Sequence, residues 1–196
     1  MRWLVFAWLF CGCGSPSGNG GDGGDPHDPV RCSPQETMAV ADEGRVHVPY
    51  PTPITYKHDP PASGPHWPLP YGRWAWGAFD ETIPRESWVH NLEHGGIVLL
   101  YNCSGVSAPN YDAFMNPPDA GSWPCADVTD ALRTVLAEEP PDKFGEVRIL
   151  VTADEAAPKK VSAVAWDWVY QSDTVDLTAL RCFRDARYGM GPEDAP

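Results

Sequence analysis

The segment that most constrains the fold is residues 84–101, in which a glycine pair separates a histidine-containing run from an apolar run. Pro84 favours the first turn of a helix, and Gly95 favours the left-handed conformation with which helices commonly end. The segment therefore predicts a helix over residues 85–94. Ile97–Tyr101 is a short apolar run directly after the glycines, and such a run favours a buried strand over a helix. We expect the end of this helix to lie against the core.

Two histidines of the predicted helix, His90 and His94, stand four positions apart. This spacing puts both side chains on one face of a helix, one turn apart. Two imidazoles held at a helix end can supply half of a metal site. The alternative is that both are structural histidines, hydrogen-bonded to neighbouring groups.

Most of the other histidines lie nearby in the chain, since five of the six fall between residues 47 and 94. His66 stands in residues 59–68, a segment whose repeated prolines exclude a helix or a central strand. A long loop that is stiffened by prolines and presents a histidine is more often functional than idle. The clustering favours a common site.

We predict a transition-metal site whose ligands are His66, His90 and His94, with His47 as a fourth ligand. Glu93 is expected to be a further ligand, or to hold an imidazole in position by a hydrogen bond. The expected ion is copper or zinc, because imidazole nitrogen suits both. The alternative function is a binding or scaffold module whose histidines fix the Pro-rich loop through hydrogen bonds to carbonyls.

A third interpretation is a small metal-dependent hydrolase. His90, Glu93 and His94 match the inverted zinc-peptidase pattern H-x-x-E-H, in which the glutamate would be the catalytic residue. Such an enzyme needs a further carboxylate from a downstream helix, where this chain offers Glu138 and Glu139. The pattern is short, chance matches are common, and the sequence favours a binding role over an enzyme.

The fold class predicted from the patterns is α+β, a mixed β-sheet with helices mainly on one face. The half of the domain before residue 84 is Pro-rich and irregular, with a short strand expected at residues 45–49. From residue 96 onward the predicted order is β-α-β-β-α. Its elements are a strand at 97–101, a helix at 127–139, a strand at 146–151, a long strand at 162–170 and a helix from Asp176 to Tyr188.

Residues 1–13 are predicted to be a signal segment, because their apolar run is too short to span a bilayer. Gly12 before Cys13 is typical of a bacterial lipoprotein signal, which would make Cys13 the acylated first residue of the mature chain. Ordinary secretion is the alternative. Residues 14–31 are rich in Gly, Ser, Asp and Pro and are expected to form a disordered tether. The remaining residues, 32–196, make up a single globular domain, anchored on the periplasmic or cell-surface side of a bacterial membrane.

The four cysteines after the signal segment are Cys32, Cys103, Cys125 and Cys182, and none of them forms a CxxC pair. In an exported protein they suggest two disulfides, for which three connectivities exist. We favour a bond from Cys103 to Cys125, closing the loop between them, and one from Cys32 to Cys182, joining the two ends of the domain.

The formal net charge of −13 argues against nucleic acid as a partner, because phosphate binding needs clustered Lys and Arg. It also argues against an electrostatic grip on anionic lipid. The expected contact with the membrane is therefore the lipid anchor alone, and the domain is expected to be a monomer.

Several motifs occur together in one order and spacing: VHV at 46–48, PPASGPH at 60–66, WGAF at 76–79, VHNLEHGG at 89–96 and AVAW at 163–166. Over about residues 44–188 they resemble the bacterial family named domain of unknown function 3105. The chain departs from that family at Asp167, where the family tends to have Gly, and at Phe79, where it often has Tyr. The resemblance implies export or membrane attachment and no agreed activity.

Overall fold

The computed structural model describes residues 25–104 and 125–196. The predicted signal segment, Cys13 and most of the predicted tether lie outside the described residues. The end of that tether contributes to a short 3-10 helix, Pro29–Cys32, which Asp28 caps by accepting a hydrogen bond from the main-chain nitrogen of Val30 at 2.9 Å. Pro29 is buried in this helix.

The domain is built on a mixed sheet of six strands in the order β1-β6-β5-β3-β4-β2. The strands are β1 (Thr37–Ala39), β2 (Gly77–Ala78), β3 (Ile97–Tyr101), β4 (Ile149–Ala153), β5 (Val161–Ala165) and β6 (Trp168–Ser172). β4 runs parallel to both β2 and β3, whereas the β3–β5, β5–β6 and β1–β6 pairs are antiparallel. The helices are α1 (Arg85–Glu93), α2 (Ala126–Glu138) and α3 (Leu177–Arg187).

Each face of the sheet has its own apolar core, because successive side chains of a strand point to opposite faces. From β3, Leu99 packs into a core with α2 and α3, while Leu100 packs into a second core with α1. α2 and α3 therefore share one face, and α1 lies on the other face together with the Pro-rich N-terminal half. The predicted α+β class is confirmed, and the order of strands and helices is consistent with the prediction.

Two predicted elements are folded differently from their patterns. Residues 45–49, predicted as a short strand, form only an isolated bridge between His47 and His66. Residues 162–170, predicted as one long strand, form a hairpin in which Ala165 pairs with Trp168. The turn consists of Trp166 and Asp167, and Asp167 has a φ of +61°. This is the position where the resembled family tends to have Gly, and the left-handed conformation explains that preference. The prediction failed because no glycine, proline or asparagine marks the turn in this chain.

Two cysteine pairs lie at disulfide distance, with the connectivity that we favoured from the sequence. Cys32 joins Cys182 with 5.5 Å between their Cα atoms, and Cys103 joins Cys125 with 5.9 Å. The first bond ties the short 3-10 helix to α3. Within residues 25–104 and 125–196, the structure has no helix of the length and apolarity needed to cross a membrane.

Candidate metal centre

The candidate site is built on α1, whose residues from Ser87 to Glu93 are all buried. Pro84 precedes the first turn, and Gly95 follows the last turn with a φ of +79°. The predicted helix and its glycine stop are therefore confirmed. The end of the helix packs between β3 and the Pro-rich segments, so its side chains are shielded from solvent.

Four side chains converge beside this helix: His47, His66, His90 and Glu93, which we call the inner group. One candidate ligand atom from each lies within 4.8 Å of all the others. His90 and Glu93 lie on adjacent turns of α1, while His47 and His66 come from irregular segments joined by a single parallel bridge. The ring centroids of the three histidines are 4.6–5.0 Å apart. The inner group could hold a metal ion.

Main-chain carbonyls determine the tautomers of the two buried histidines. His66 donates from Nδ1 to the carbonyl oxygen of Gly64 at 2.9 Å, and His90 donates from Nδ1 to that of Trp67 at 2.8 Å. A carbonyl oxygen can only accept, so Nδ1 carries the hydrogen in both rings. Each Nε2 therefore has a free lone pair, as a metal-binding imidazole requires.

Gly72 permits the hydrogen bond between His90 and the carbonyl oxygen of Trp67. A Cβ atom at Gly72 would collide with the carbonyl oxygen of Trp67 and with Nδ1 of His90. The chain approaches the imidazole so closely at this point that no side chain fits. Gly72 is thus part of the frame that orients His90.

The lone pair of His66 faces a carboxylate. Its Nε2 lies 3.0 Å from Oε2 of Glu93, and Nε2 of His47 lies 3.6 Å from the same oxygen. His66 is 0% exposed and Glu93 is 1% exposed, so water does not separate them. Two acceptors at this distance need a proton or a cation between them. Ligand atoms of a tetrahedral zinc ion with bonds of about 2.0–2.2 Å lie roughly 3.3–3.6 Å apart, which is close to these two separations.

Burial also sets the charge of the inner group. It lowers the pKa of His66 and that of His90 to about 4, so both rings are neutral at pH 7 and able to bind a metal. Burial raises the pKa of Glu93, and the negative charge of Glu193 raises it further. His47 is the exposed member, with 46% of its side chain accessible, and it marks the side open to solvent.

His94, predicted as a ligand beside His90, lies in a neighbouring group with Glu93 and Glu193. We call this the outer group, and its candidate ligand atoms also lie within 4.8 Å of one another. The His90 and His94 rings are neighbours at 5.0 Å, as the helical spacing predicts. His94 is nevertheless the cap residue after the last helical turn, and its Nδ1 donates to the main-chain oxygen of Pro196 at 2.8 Å. The C-terminal segment thus holds the ring of His94 next to Glu193.

Sequence reasoning missed Glu193. It lies in the segment 189–196, which has no apolar period and no motif that would single out one carboxylate. The only local signal is its position a few residues after the glycine that ends α3.

The carboxylates required by the hydrolase interpretation lie elsewhere. Glu138 binds the guanidinium of Arg181 through both oxygens, at 2.6 and 2.8 Å, and Glu139 pairs with Arg184 at 3.1 Å. They belong to the end of α2, which packs on the opposite face of the sheet from α1. Neither therefore supplies a ligand to the inner group.

The fold and the site together define an α+β domain with a buried histidine–glutamate group beside a short helix. The family model described as "Protein of unknown function (DUF3105)" matches residues 47–196, which include every member of both groups. The chain belongs to this family, which is the family that its sequence resembles. Neither the curated proteins nor the solved structures include one that matches the chain.

Proposed function

We propose that the protein is an exported, lipid-tethered domain that binds a transition-metal ion, zinc or copper, through the inner group. The observation that carries the proposal is the contact between Nε2 of His66 and Oε2 of Glu93, two buried acceptors 3.0 Å apart. A cation placed between them and the Nε2 atoms of His90 and His47 satisfies all four groups at once.

The chemistry of the ligands supports zinc or copper(II). Three imidazoles and one carboxylate make a nitrogen- and oxygen-rich set, which suits both ions, whereas copper(I) prefers sulfur ligands. Binding to the neutral rings costs no proton release, because burial already keeps His66 and His90 unprotonated at pH 7. The ion would enter from the side of His47, the exposed member.

The proposed cellular location of the protein is based on its first residues and on its cysteines. The predicted lipoprotein signal ends at Cys13, and two disulfides agree with an oxidising compartment outside the cytoplasm. Cys13→Ala tests the anchor. We expect the wild-type chain in the membrane fraction carrying a labelled fatty acid, and the variant unlabelled. A wild-type chain that is exported but soluble would instead support ordinary secretion.

The alternative is that the histidines are purely structural and that a proton occupies the position of the metal. The carbonyl bonds of His66 and His90 favour this reading as well, since they fix the Pro-rich loop to α1. Here Glu93 would be protonated and would donate to Nε2 of His66. The two functions therefore differ only in what lies between His66 and Glu93.

Metal loading of substituted proteins distinguishes the metal-binding function from the purely structural one. The amide nitrogen of asparagine can take the place of Nδ1, so His66→Asn and His90→Asn keep a donor for the carbonyl but remove Nε2. We expect the chelator-treated wild-type protein to bind zinc or copper(II), and each variant to bind at least about tenfold more weakly. His58→Asn is the matched control, because His58 belongs to neither group. If the wild-type protein takes up neither ion, the metal proposal is wrong.

A further inference from the structure

The outer group repeats the features of the inner group on the other side of Glu93. His94 donates from Nδ1 to the main-chain oxygen of Pro196 at 2.8 Å, so Nε2 is the ring nitrogen left to contact a ligand. That Nε2 lies 3.9 Å from Oε2 of Glu193, and only 12% of the His94 side chain is exposed. After His66 and His90, His94 is thus a third imidazole whose ring is oriented by a main-chain oxygen.

Main-chain contacts hold the C-terminal segment over the end of α1. The nitrogen of Glu193 donates to the carbonyl oxygen of Glu93 at 3.0 Å, and the nitrogen of Gly189 donates to that of Gly95 at 2.8 Å. A Cβ atom at Gly191 would collide with the main chain of Gly95 and of Glu93. The backbone therefore places the Glu193 side chain beside His94 without help from an ion.

The charges of the outer group call for a cation. Two carboxylates, one of them buried, lie beside Nε2 of His94. Among the described residues, the other cationic side chain paired with Glu193 is Arg45, whose Nη1 lies 3.8 Å from Oε1. Both partners of that ion pair are about half-exposed, at 55% and 43%, so the pair is weak and screened by salt. A metal ion competes with it easily.

We propose that Glu93 bridges two metal ions, one in the inner group and a second held by Glu93, His94 and Glu193. This inference rests on the proposed function and deepens it. Glu93 is the one residue common to both groups, and a carboxylate has an oxygen for each ion. In two-metal sites the ions lie about 3.5–4 Å apart. The His90 and His94 rings, with centroids 5.0 Å apart, would each bind one of the two ions.

Counting bound ions in substituted full-length chains tests the bridge. The chain is purified in detergent, stripped with a chelator, loaded with Zn²⁺, and its metal content is measured per folded chain. We expect two ions in the wild-type protein, one in His94→Asn and in Glu193→Gln, and none bound tightly in Glu93→Gln. Asp194→Asn is the matched control, because Asp194 pairs with Lys143 and belongs to neither group. It should retain two ions.

Copper(II) loading adds a readout that reports the distance between the ions. Two copper ions that share a carboxylate should show magnetic coupling in the electron paramagnetic resonance spectrum of the wild-type protein, and Glu193→Gln should show only isolated copper. The side chain of Glu193 is about half-exposed, at 43%, so we expect its substitution to leave the fold intact.

Each other result is decisive. A wild-type protein that binds only one ion, and still binds it in Glu193→Gln, overturns the bridge and leaves the inner site standing. A wild-type protein that binds only one ion, and loses it both in His66→Asn and in Glu193→Gln, has a single mixed site, which overturns the bridge. Two ions that both persist in Glu193→Gln place the second ion elsewhere. No bound ion overturns the bridge and the proposed function together.

Discussion

His66 and Glu93 lie with Nε2 and Oε2 3.0 Å apart, in a position where neither atom has a hydrogen of its own to offer. The Nδ1 hydrogen of His66 is already donated to Gly64, and an ionised carboxylate has none. A proton or a metal ion must therefore join the two atoms. Which of the two joins them affects the stability of the protein, its pH dependence and its metal binding.

Glu93→Gln should separate folding from metal binding. The amide can donate a hydrogen to Nε2 of His66, so we expect the metal-free variant to unfold at the same temperature as the metal-free wild type or higher. It should lose the stabilisation by zinc, which is about 2.7 kcal/mol for the wild type at a hundredfold excess over Kd. Thermal unfolding with and without zinc measures both effects.

Glu86→Gln is the control for that substitution, since Glu86 lies on the same helix but outside both groups. It should keep the full zinc response. A zinc response that survives in Glu93→Gln would show that the carboxylate is not a ligand.

The metal-free protein should lose stability in mild acid. The pKa of His66 and that of His90 fall from 6.5 to about 4 on folding, so between these values the unfolded chain binds more protons than the folded chain. Stability is then full above about pH 6.5 and decreases toward pH 4, by at most about 1.4 kcal/mol per pH unit for each ring. Denaturant unfolding from pH 7 to pH 4 measures the slope.

The raised pKa of Glu93 acts in the opposite direction above its ordinary value of 4.5, because there the folded chain holds the extra proton. The contribution of His90 is therefore taken as the difference between the pH slopes of the wild type and of His90→Asn. The asparagine of this variant cannot be protonated as the imidazole can. We expect the variant to have the shallower slope. Equal slopes would contradict the neutral, buried state of His90.

Gly72→Ala should loosen the frame of the inner group. The new methyl group collides with the carbonyl of Trp67 and the ring of His90, so the main chain must move away and the hydrogen bond between them is lost. Overpacking of this kind costs about 1–3 kcal/mol. We expect a lower unfolding free energy and a weaker affinity for zinc. If only stability falls, the orientation of His90 does not matter for binding.

Removing the Cys32–Cys182 bond should affect stability without affecting the site. The bond joins the N-terminal 3-10 helix to α3, on the opposite face of the sheet from α1. The double alanine variant should lose roughly 2–5 kcal/mol of unfolding free energy. Its zinc content after loading should equal that of the wild type when both are measured under folded conditions. A loss of zinc would mean that the two faces are coupled.

Local patterns were sufficient for α1 and β3. Pro84, Gly95 and the apolar run after them define a helix, its stop and a strand from interactions within a few residues. Within the predicted helix, His90 and Glu93 stand three positions apart and therefore lie on adjacent turns. Half of the inner group thus follows from the sequence. The hairpin at Asp167 did not, because its turn uses a left-handed aspartate that carries no distinctive signal.

The sequence by itself determined which side chains were available for a site: histidines clustered in one half of the domain, Glu93 between two of them, and prolines that stiffen the chain. Only the tertiary structure decided which of them meet. The bridge between His47 and His66, the carbonyls that turn each Nε2 inward, and the return of Glu193 to the end of α1 all join positions far apart in the chain. Such contacts depend on the packing of whole segments, which leaves no periodic trace in the residues that make them.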